Sequence, residues 1–517
     1  MAYDAVIIGS GIGGLTAGAY LSKYGKRVLV CEQHARPGGY FTSFRRQGYT
    51  FDGGTQSVED IGMFRPMLRQ LGLDGRVKLA KSRFAVASPE FFHPLESLED
   101  LRAFYDMLIR FFPADRCGLA ETRDLALAFC RIFRDVLASA PNPFFQTPWG
   151  FLRENLPALA RNLSALRAAG DFYRLLDEPL AEWMRRRVGN PDPVNIICDI
   201  GFYGMSVSFG LAFIYFMMDY YYPLGGFQAI SDALASLIKE KGGEVRCRAR
   251  VEQILVEGSR AVGVRLEGGE EVRAPYVISG ADMRRTFLEM LPASCVPSSY
   301  RRRLLDARPA HSMFTVYLGL DIPPEELGNR GFHHVVIFPG LFGTDFSGID
   351  DDIDFYRKCP VMVSMPSAHD PSLAPPGKSV MCIQYYATPG FAGGWGMEGG
   401  KPTPRHRELR EMVADQMITI TERVIPDIKE RIEVKVTATP FTYERFTLNS
   451  AGATIGWSKH PRESFSPFIR SFLDFRTPVR NLYQVGHWAF GPGGIPGGLI
   501  NGKMVSDIIR LRSRLGL

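Results

Sequence analysis

The chain has 517 residues, enough for two or more hydrophobic cores or for one discontinuous domain carrying an insertion. Hydrophobic residues at 45% and charged residues at 22% exclude a disordered or acidic-tailed chain. The net charge of +6 is mild and no run of Lys and Arg forms a reading motif, so nucleic acid is not expected as a partner.

The eight cysteines are scattered without a CxxC or metal-ligand spacing, which points to free thiols in a reducing compartment and to no metal. The opening MAYDAVIIGS lacks the basic segment of a signal peptide, so the expected location is cytoplasmic. The most apolar run, SFGLAFIYFMM at 208–218, is about half the length that spans a bilayer.

Residues 4–14, DAVIIGSGIGG, place an apolar strand before Gly9, Gly11 and Gly14 in the spacing GxGxxG. A helix to about Lys23, a stop at Gly25 and a second strand, VLVC, follow, closing on Glu32. This strand, turn, helix, strand unit admits a pyrophosphate, and the terminal acid can accept ribose hydroxyls while repelling a 2′-phosphate. FAD and NAD both fit this unit. RPGG (36–39) and GYTFDGGTQS (48–57) add two more glycine pairs, as though the chain keeps running beside a longer ligand, which favours FAD.

From 77 to 222 the apolar spacing is helical, with basic residues between. Residues 222–282 return to α/β: a helix, QAISDALASLIKEKG, then the strands EVRCRA, VEQILVEG with AVGVRLEGG as a hairpin, and EVRAPYVISGA. Strands SMFTVYLGL, HHVVIFP and SVMCIQYYA and a helix near 405–424 occupy 300–435. The end of the chain has six glycines between 486 and 498, before a last apolar-periodic segment. The expected architecture is α/β: a Rossmann-like nucleotide-binding domain in three pieces (1–76, 223–300 and 436–517), with an α+β substrate domain inserted as 77–222 and 301–435.

IIGSGIGGL, EQHARPGG, GYTFDGGTQS, YPLGGFQAISDALA, AVGVRLEGG with VISGAD, TPFTYERFTLNSAGATIG and NLYQVGHWAFGPGGIPGG stand in one order along nearly the whole chain. In these blocks the sequence resembles the phytoene desaturase, carotenoid isomerase and retinol saturase flavoproteins, a group similar to the wider amine oxidases. The resemblance implies a glutathione reductase and amine oxidase type of FAD-binding fold. It places Gly9, Gly11, Ile12, Gly13, Gly14, Glu32 and Gln33 on the adenosine diphosphate half of FAD, and Gly38 and Gly39 beside the pyrophosphate. Val251 would meet the adenine through its backbone, and Gly54, Gly486, Gly494 and Ile495 would lie near the ribityl chain and ring. VGHWAF departs from the pattern, with His487 and Trp488 where an acid or small residues are commoner.

No second GxGxxG unit with its acid appears, so electrons are expected to pass to or from an external quinone, oxygen or redox protein. Motif position brings Thr55, Tyr443, Glu444, Arg445 and His487 near the ring as candidate catalytic residues, Glu444 and Arg445 being equally readable as a solvated pair on a strand. The pair His333 and His334 has no acid or cysteine at ligand spacing and reads as a strand feature. The aromatic stretch FFQTPWGF (144–151) beside Arg185, Arg186 and Arg187 suits peripheral contact with an anionic membrane, at the inner face. Three function classes follow: desaturation or saturation of a hydrophobic polyene, isoprenoid or lipid; redox-neutral cis/trans isomerisation using reduced FAD; and a flavin-free lipid carrier like the prenyl-binding GDP dissociation inhibitors.

Overall fold

A computed structural model describes residues 2–138, 163–201, 204–328, 330–460, 462–465, 477–489 and 493–515. Five short strands form a parallel sheet in the order Glu244–Arg246, Val28–Cys31, Ala5–Ile8, Tyr276–Ser279, Leu482–Gln484. The three central strands read AVII, VLVC and YVIS and are buried throughout, as a sheet covered on both faces requires. Ile8 pairs with both Cys31 and Ser279, so the carboxyl ends of these strands are level. Ligands of open α/β sheets bind at such a level edge.

Helix Ile12–Lys23 leaves the first strand at this edge and packs against both Gln228–Glu240 and the C-terminal helix Gly494–Leu515. The contact with the C-terminal helix is close because it is made by glycines. A Cβ on Gly502 would stand 2.7 Å from the carbonyl oxygen of Gly13.

The run EVRAPYVISGA, expected as one strand, makes two in different sheets. Glu271–Arg273 joins the antiparallel meander of Val251–Glu257 and Arg260–Leu266, whereas Tyr276–Ser279 enters the parallel sheet. Pro275 stands between them and has no N–H for a continuous ladder. The all-helical reading of 77–222 also needs correction. Phe84–Ser88 and Phe91–Pro94 are strands at one edge of a seven-stranded sheet, in the order Ile432–Ala438, Ser312–Leu320, Ser379–Ala387, Val361–Ser364, His334–Ile337, Phe84–Ser88, Phe91–Pro94. Helices Leu98–Phe111, Arg116–Ile132, Leu163–Arg174, Leu180–Arg185, Pro191–Ile200 and Val207–Met218 then follow.

One hydrophobic core joins the opening helix and strands to these helices. A second lies between the seven-stranded sheet, through Phe314, Val316 and Leu318, and helix Pro404–Glu422, through Leu409, Val413 and Met417. Strands Tyr220–Pro223 and Ile432–Ala438 run across two of the expected divisions, 222/223 and 435/436. Among the described residues no helix is long and apolar enough to cross a membrane.

Candidate active site

A cavity of 790 Å³ opens at the level edge of the parallel sheet. Its wall includes Gly9, Gly11, Ile12, Gly13, Gly14, Glu32, Gln33, Gly38, Gly39, Gly54, Val251, Gly486, Gly494 and Ile495, so every residue expected at the cofactor is brought to one space. Glu32 is held before any ligand arrives: Ser10 donates to Oε2 from its backbone N–H (2.9 Å) and its hydroxyl, and the His34 N–H donates to Oε1 (2.9 Å). The Ser10 hydroxyl also accepts from the Gly38 N–H at 3.1 Å, tying the GxGxxG turn to RPGG. Ser10 is fully buried, and the sequence reading passed over it because serine in such a turn looks like a spacer.

The glycine-rich tail faces this turn. A Cβ on Gly13 would come within 2.5 Å of the Gly486 backbone nitrogen, so the two turns meet backbone to backbone. Gly486 has φ +89°, which a residue with a Cβ rarely adopts. Its conformation is fixed by Asn501, fully buried on the C-terminal helix, whose Oδ1 accepts from the Gly486 N–H and whose Nδ2 donates to the Gly486 carbonyl, both at 2.8 Å. The N-termini of helices Ile12–Lys23 and Gly494–Leu515 both lie on the cavity, and unpaired N–H groups with the helix dipole favour an anion there. Asn501 left little trace in sequence, being one polar residue in an apolar-periodic run.

Asp282, after strand Tyr276–Ser279, also lines the cavity and was missed as a site residue. Its Oδ1 accepts from the Arg284 N–H and its Oδ2 from the Ser450 N–H, both at 2.7 Å, fastening the loop that follows helix Pro440–Thr447 to the sheet edge.

Of the candidate catalytic residues, Thr55, Tyr443 and His487 line the cavity, while Glu444 and Arg445 do not. The reason is local: residues 440–447 form a helix, not the strand considered from sequence, so turning Tyr443 inward rotates its two neighbours away. Arg445 is exposed, and the carboxyl of half-buried Glu444 is raised by desolvation. The Tyr443 hydroxyl shares a 2.6 Å hydrogen bond with Thr315, to which Gln384 also donates at 3.1 Å. Thr55 donates its hydroxyl to the Ser57 carbonyl at 2.9 Å.

His487 packs 5.9 Å from the Tyr40 ring, and its Nε2 has no hydrogen-bond partner among the described residues. Burial, with a smaller contribution from nearby Lys459, pushes its pKa down to about 3, so the imidazole is neutral at physiological pH. Burial lowers Lys459 itself to about 7. Trp488 is a structural pillar: it is buried, donates from Nε1 to Asn449 at 2.8 Å, and accepts from Trp457 Nε1 at its carbonyl. His334 begins a strand as expected, while His333 stacks on His369 at 3.7 Å.

The glycine clamp, the preset carboxylate and the two helix ends fit the adenosine diphosphate half of FAD, and the aromatic residues beyond them leave room for a flavin ring. One further stretch of the wall is apolar. Phe133, Phe172, Phe209, Phe213 and Phe216 touch edge to face at 5.0–5.8 Å, with Met205 and Met217 beside them.

Relatives named for their activities cover the same span. The chain is 27% identical to the all-trans-retinol 13,14-reductase of Danio rerio over 93% of this chain and 82% of that protein. It is 27% identical to prolycopene isomerase 1 of an Oncidium hybrid (100% and 84%) and to the neurosporene-forming phytoene desaturase of Cereibacter sphaeroides (98% and 95%). A putrescine oxidase bound to putrescine shares the fold with a TM-score of 0.63 at 16% identity, covering 99% of this chain and all of that one. An oxidoreductase from Methanosarcina mazei does so with 0.61 at 18%, covering 97% and 99%. The family model described as flavin containing amine oxidoreductase matches residues 12–510, from the first turn of the glycine-rich helix almost to the end of the C-terminal one, and the chain belongs to that family of FAD-dependent enzymes.

Proposed function

We propose that this flavoenzyme removes or adds hydrogen across a carbon–carbon bond of a hydrophobic polyene, isoprenoid or similar lipid. One observation carries the reading: the wall that holds the glycine clamp is also built from a contiguous cluster of phenylalanine rings and methionines. Each Å² of apolar substrate taken from water against such a wall contributes about 25 cal/mol. A long hydrocarbon gains from every ring, whereas a small polar amine gains little.

FAD, when bound, supplies hydride acceptance or donation. The chain supplies position and exclusion of water. Glu32 and the two helix ends hold the dinucleotide, Asn501 sets Gly486, and Tyr443 is oriented by Thr315. His487, being neutral, contributes a hydrogen bond rather than a standing charge, and Thr55 braces its own loop. Desaturation sends one hydrogen out as hydride and the other as a proton, with the electrons leaving to a quinone, oxygen or redox protein; saturation reverses both flows. The carrier reading is set aside, since the family is one of flavin oxidoreductases.

A second reading, isomerisation with reduced FAD, is supported by the equal identity to prolycopene isomerase. A panel of polyenes and prenyl lipids separates the readings. With oxidised flavin and a quinone a desaturase gives product lighter by two hydrogens. With dithionite-reduced flavin a saturase gives product heavier by two. Unchanged mass with a shifted absorption band under trace reduced flavin identifies an isomerase. Turnover of amines alone would overturn the proposal.

Contact with an anionic membrane and a cytoplasmic location belong to the same proposal. Residues 144–151, part of its motivation, lie outside the described residues. Of the three arginines, Arg186 pairs with Glu178, and Arg187 with Glu121 at 3.0 Å.

A further inference from the structure

The apolar part of the cavity contains a carboxyl. Glu59 lies on the two-residue strand Val58–Glu59 and is registered opposite Tyr220 in an antiparallel pair, which sets both side chains on one face. Both residues line the cavity, with Phe84, Met63 and His334 around them. Tyr220 packs edge to face on Phe84 (6.3 Å) and on His334 (5.6 Å).

Glu59 Oε2 is sealed from solvent and has no hydrogen-bond partner among the described residues. Burial, opposed by a hydrogen bond from the residue's own backbone N–H and joined by a smaller push from Asp219, raises its pKa to about 7, and no cation is among the groups acting on it. His334 cannot be that cation, because burial and its two histidine neighbours lower it to about 3. A glutamate kept for structure is paired or hydrogen-bonded, since leaving a buried polar atom unsatisfied costs about 1–3 kcal/mol. An aliphatic side chain would complete this wall better. Oε2 gains a partner when something entering the cavity bonds to it.

We propose that Glu59 is the polar anchor of the substrate site. In its neutral form it both accepts from and donates to a hydroxyl carried by an otherwise apolar chain, so the enzyme selects a hydroxylated polyene or prenyl alcohol over a bare hydrocarbon. The inference rests on the reading of the apolar wall as the substrate site. A protonated carboxyl matches a hydroxyl because each offers one donor and spare acceptors. An ammonium would instead draw the proton off Glu59 and bind with a pH dependence that a hydroxyl does not share.

The test uses the FAD-loaded enzyme and three probes: geranylgeraniol, its methyl ether and the matching hydrocarbon. Binding is read as perturbation of the flavin absorption band. The alcohol is expected to bind about 10- to 100-fold more tightly than the hydrocarbon, the range of a buried hydrogen bond. The ether, which only accepts, should fall between them. Glu59→Gln, which still donates and accepts, keeps the order of the three probes. Glu59→Leu abolishes the preference while retaining FAD, and melts at a higher temperature than wild type because an unsatisfied carboxyl is gone. Equal binding of the three probes to wild type, or an unchanged preference in Glu59→Leu, overturns the anchor while leaving the hydrophobic substrate site intact. If alkylamines perturb the flavin and none of the three probes does, the substrate reading fails and the anchor with it.

Discussion

Asn501 provides a test of whether the tail is an integral part of the cofactor site. Replacing it with leucine keeps side-chain bulk on the C-terminal helix but removes both 2.8 Å hydrogen bonds to Gly486. The two losses are unequal. The Gly486 carbonyl keeps the Ala489 N–H at 3.2 Å, whereas among the described residues the Gly486 N–H has no other acceptor. An orphaned donor of this kind costs about 1–3 kcal/mol. If the loss falls on the turn that the cofactor needs, FAD affinity drops about 5- to 150-fold. Flavin fluorescence on titrating apoprotein measures this, with far-UV circular dichroism to show that the fold is kept. Asn501→Asp gives a second reading with a sign. Burial raises the carboxyl pKa, and below it the neutral acid can donate to the Gly486 carbonyl and accept from its N–H, as asparagine does. Above it a carboxylate faces a carbonyl oxygen. FAD binding by Asn501→Asp is therefore expected to strengthen as pH falls, unlike that of the wild type. Leucine and aspartate variants that bind FAD within about twofold of wild type at every pH would refute the reasoning, because a gap that small is well under 1 kcal/mol.

Acid should destabilise the folded chain through its buried histidines. His333 is lowered to about 4, and His334, His369 and His487 to about 3, so their contribution is present above the unfolded value near 6.5 and is lost as pH falls below it. For His334, which is 8% exposed, this amounts to about 2 kcal/mol by about pH 5. Glu59 and Asp199, both raised to about 7, act in the opposite sense, contributing at low pH and losing that contribution as pH rises through 7. His334→Gln should flatten the fall in melting temperature between about pH 7 and pH 5, and an unchanged slope would remove this account. At the membrane, co-sedimentation with anionic but not neutral liposomes, weakened by salt, is the outcome expected of basic residues screened over about 8 Å; equal recovery with both lipids would remove the membrane proposal.

The parts of the fold visible in sequence are those where local chemistry and tertiary role coincide. AVII and VLVC are read as strands because the GxGxxG turn, the helix after it and Glu32 stand between and beyond them at the spacing of a nucleotide-binding unit, so most of the nucleotide end could be read from the chain. Phe84–Ser88 and Phe91–Pro94 escaped because FAVAS and FFHP are short apolar runs, in which strand and helix periods cannot be told apart. Glu444 and Arg445 were brought near the ring by their place in a motif. Position in a motif fixes which turn of chain approaches a site, but not which side of a helix faces it. Tyr443 takes that side, and its neighbours cannot share it.

Ser10, Asn501 and Glu59 share a different obstacle. Each is a polar residue whose meaning depends on a group far away in the chain: Ser10 on Glu32, Asn501 on Gly486, and Glu59 on whatever enters the cavity. Composition and periodicity treat such residues as interruptions of an apolar pattern. Burial reverses their weight, because a polar atom away from water must be satisfied or it costs stability. Ser10 and Asn501 are satisfied by the protein itself, which makes them part of the clamp. Glu59 Oε2 is not, which is why the same physical rule that assigns the first two to the architecture assigns the third to the ligand.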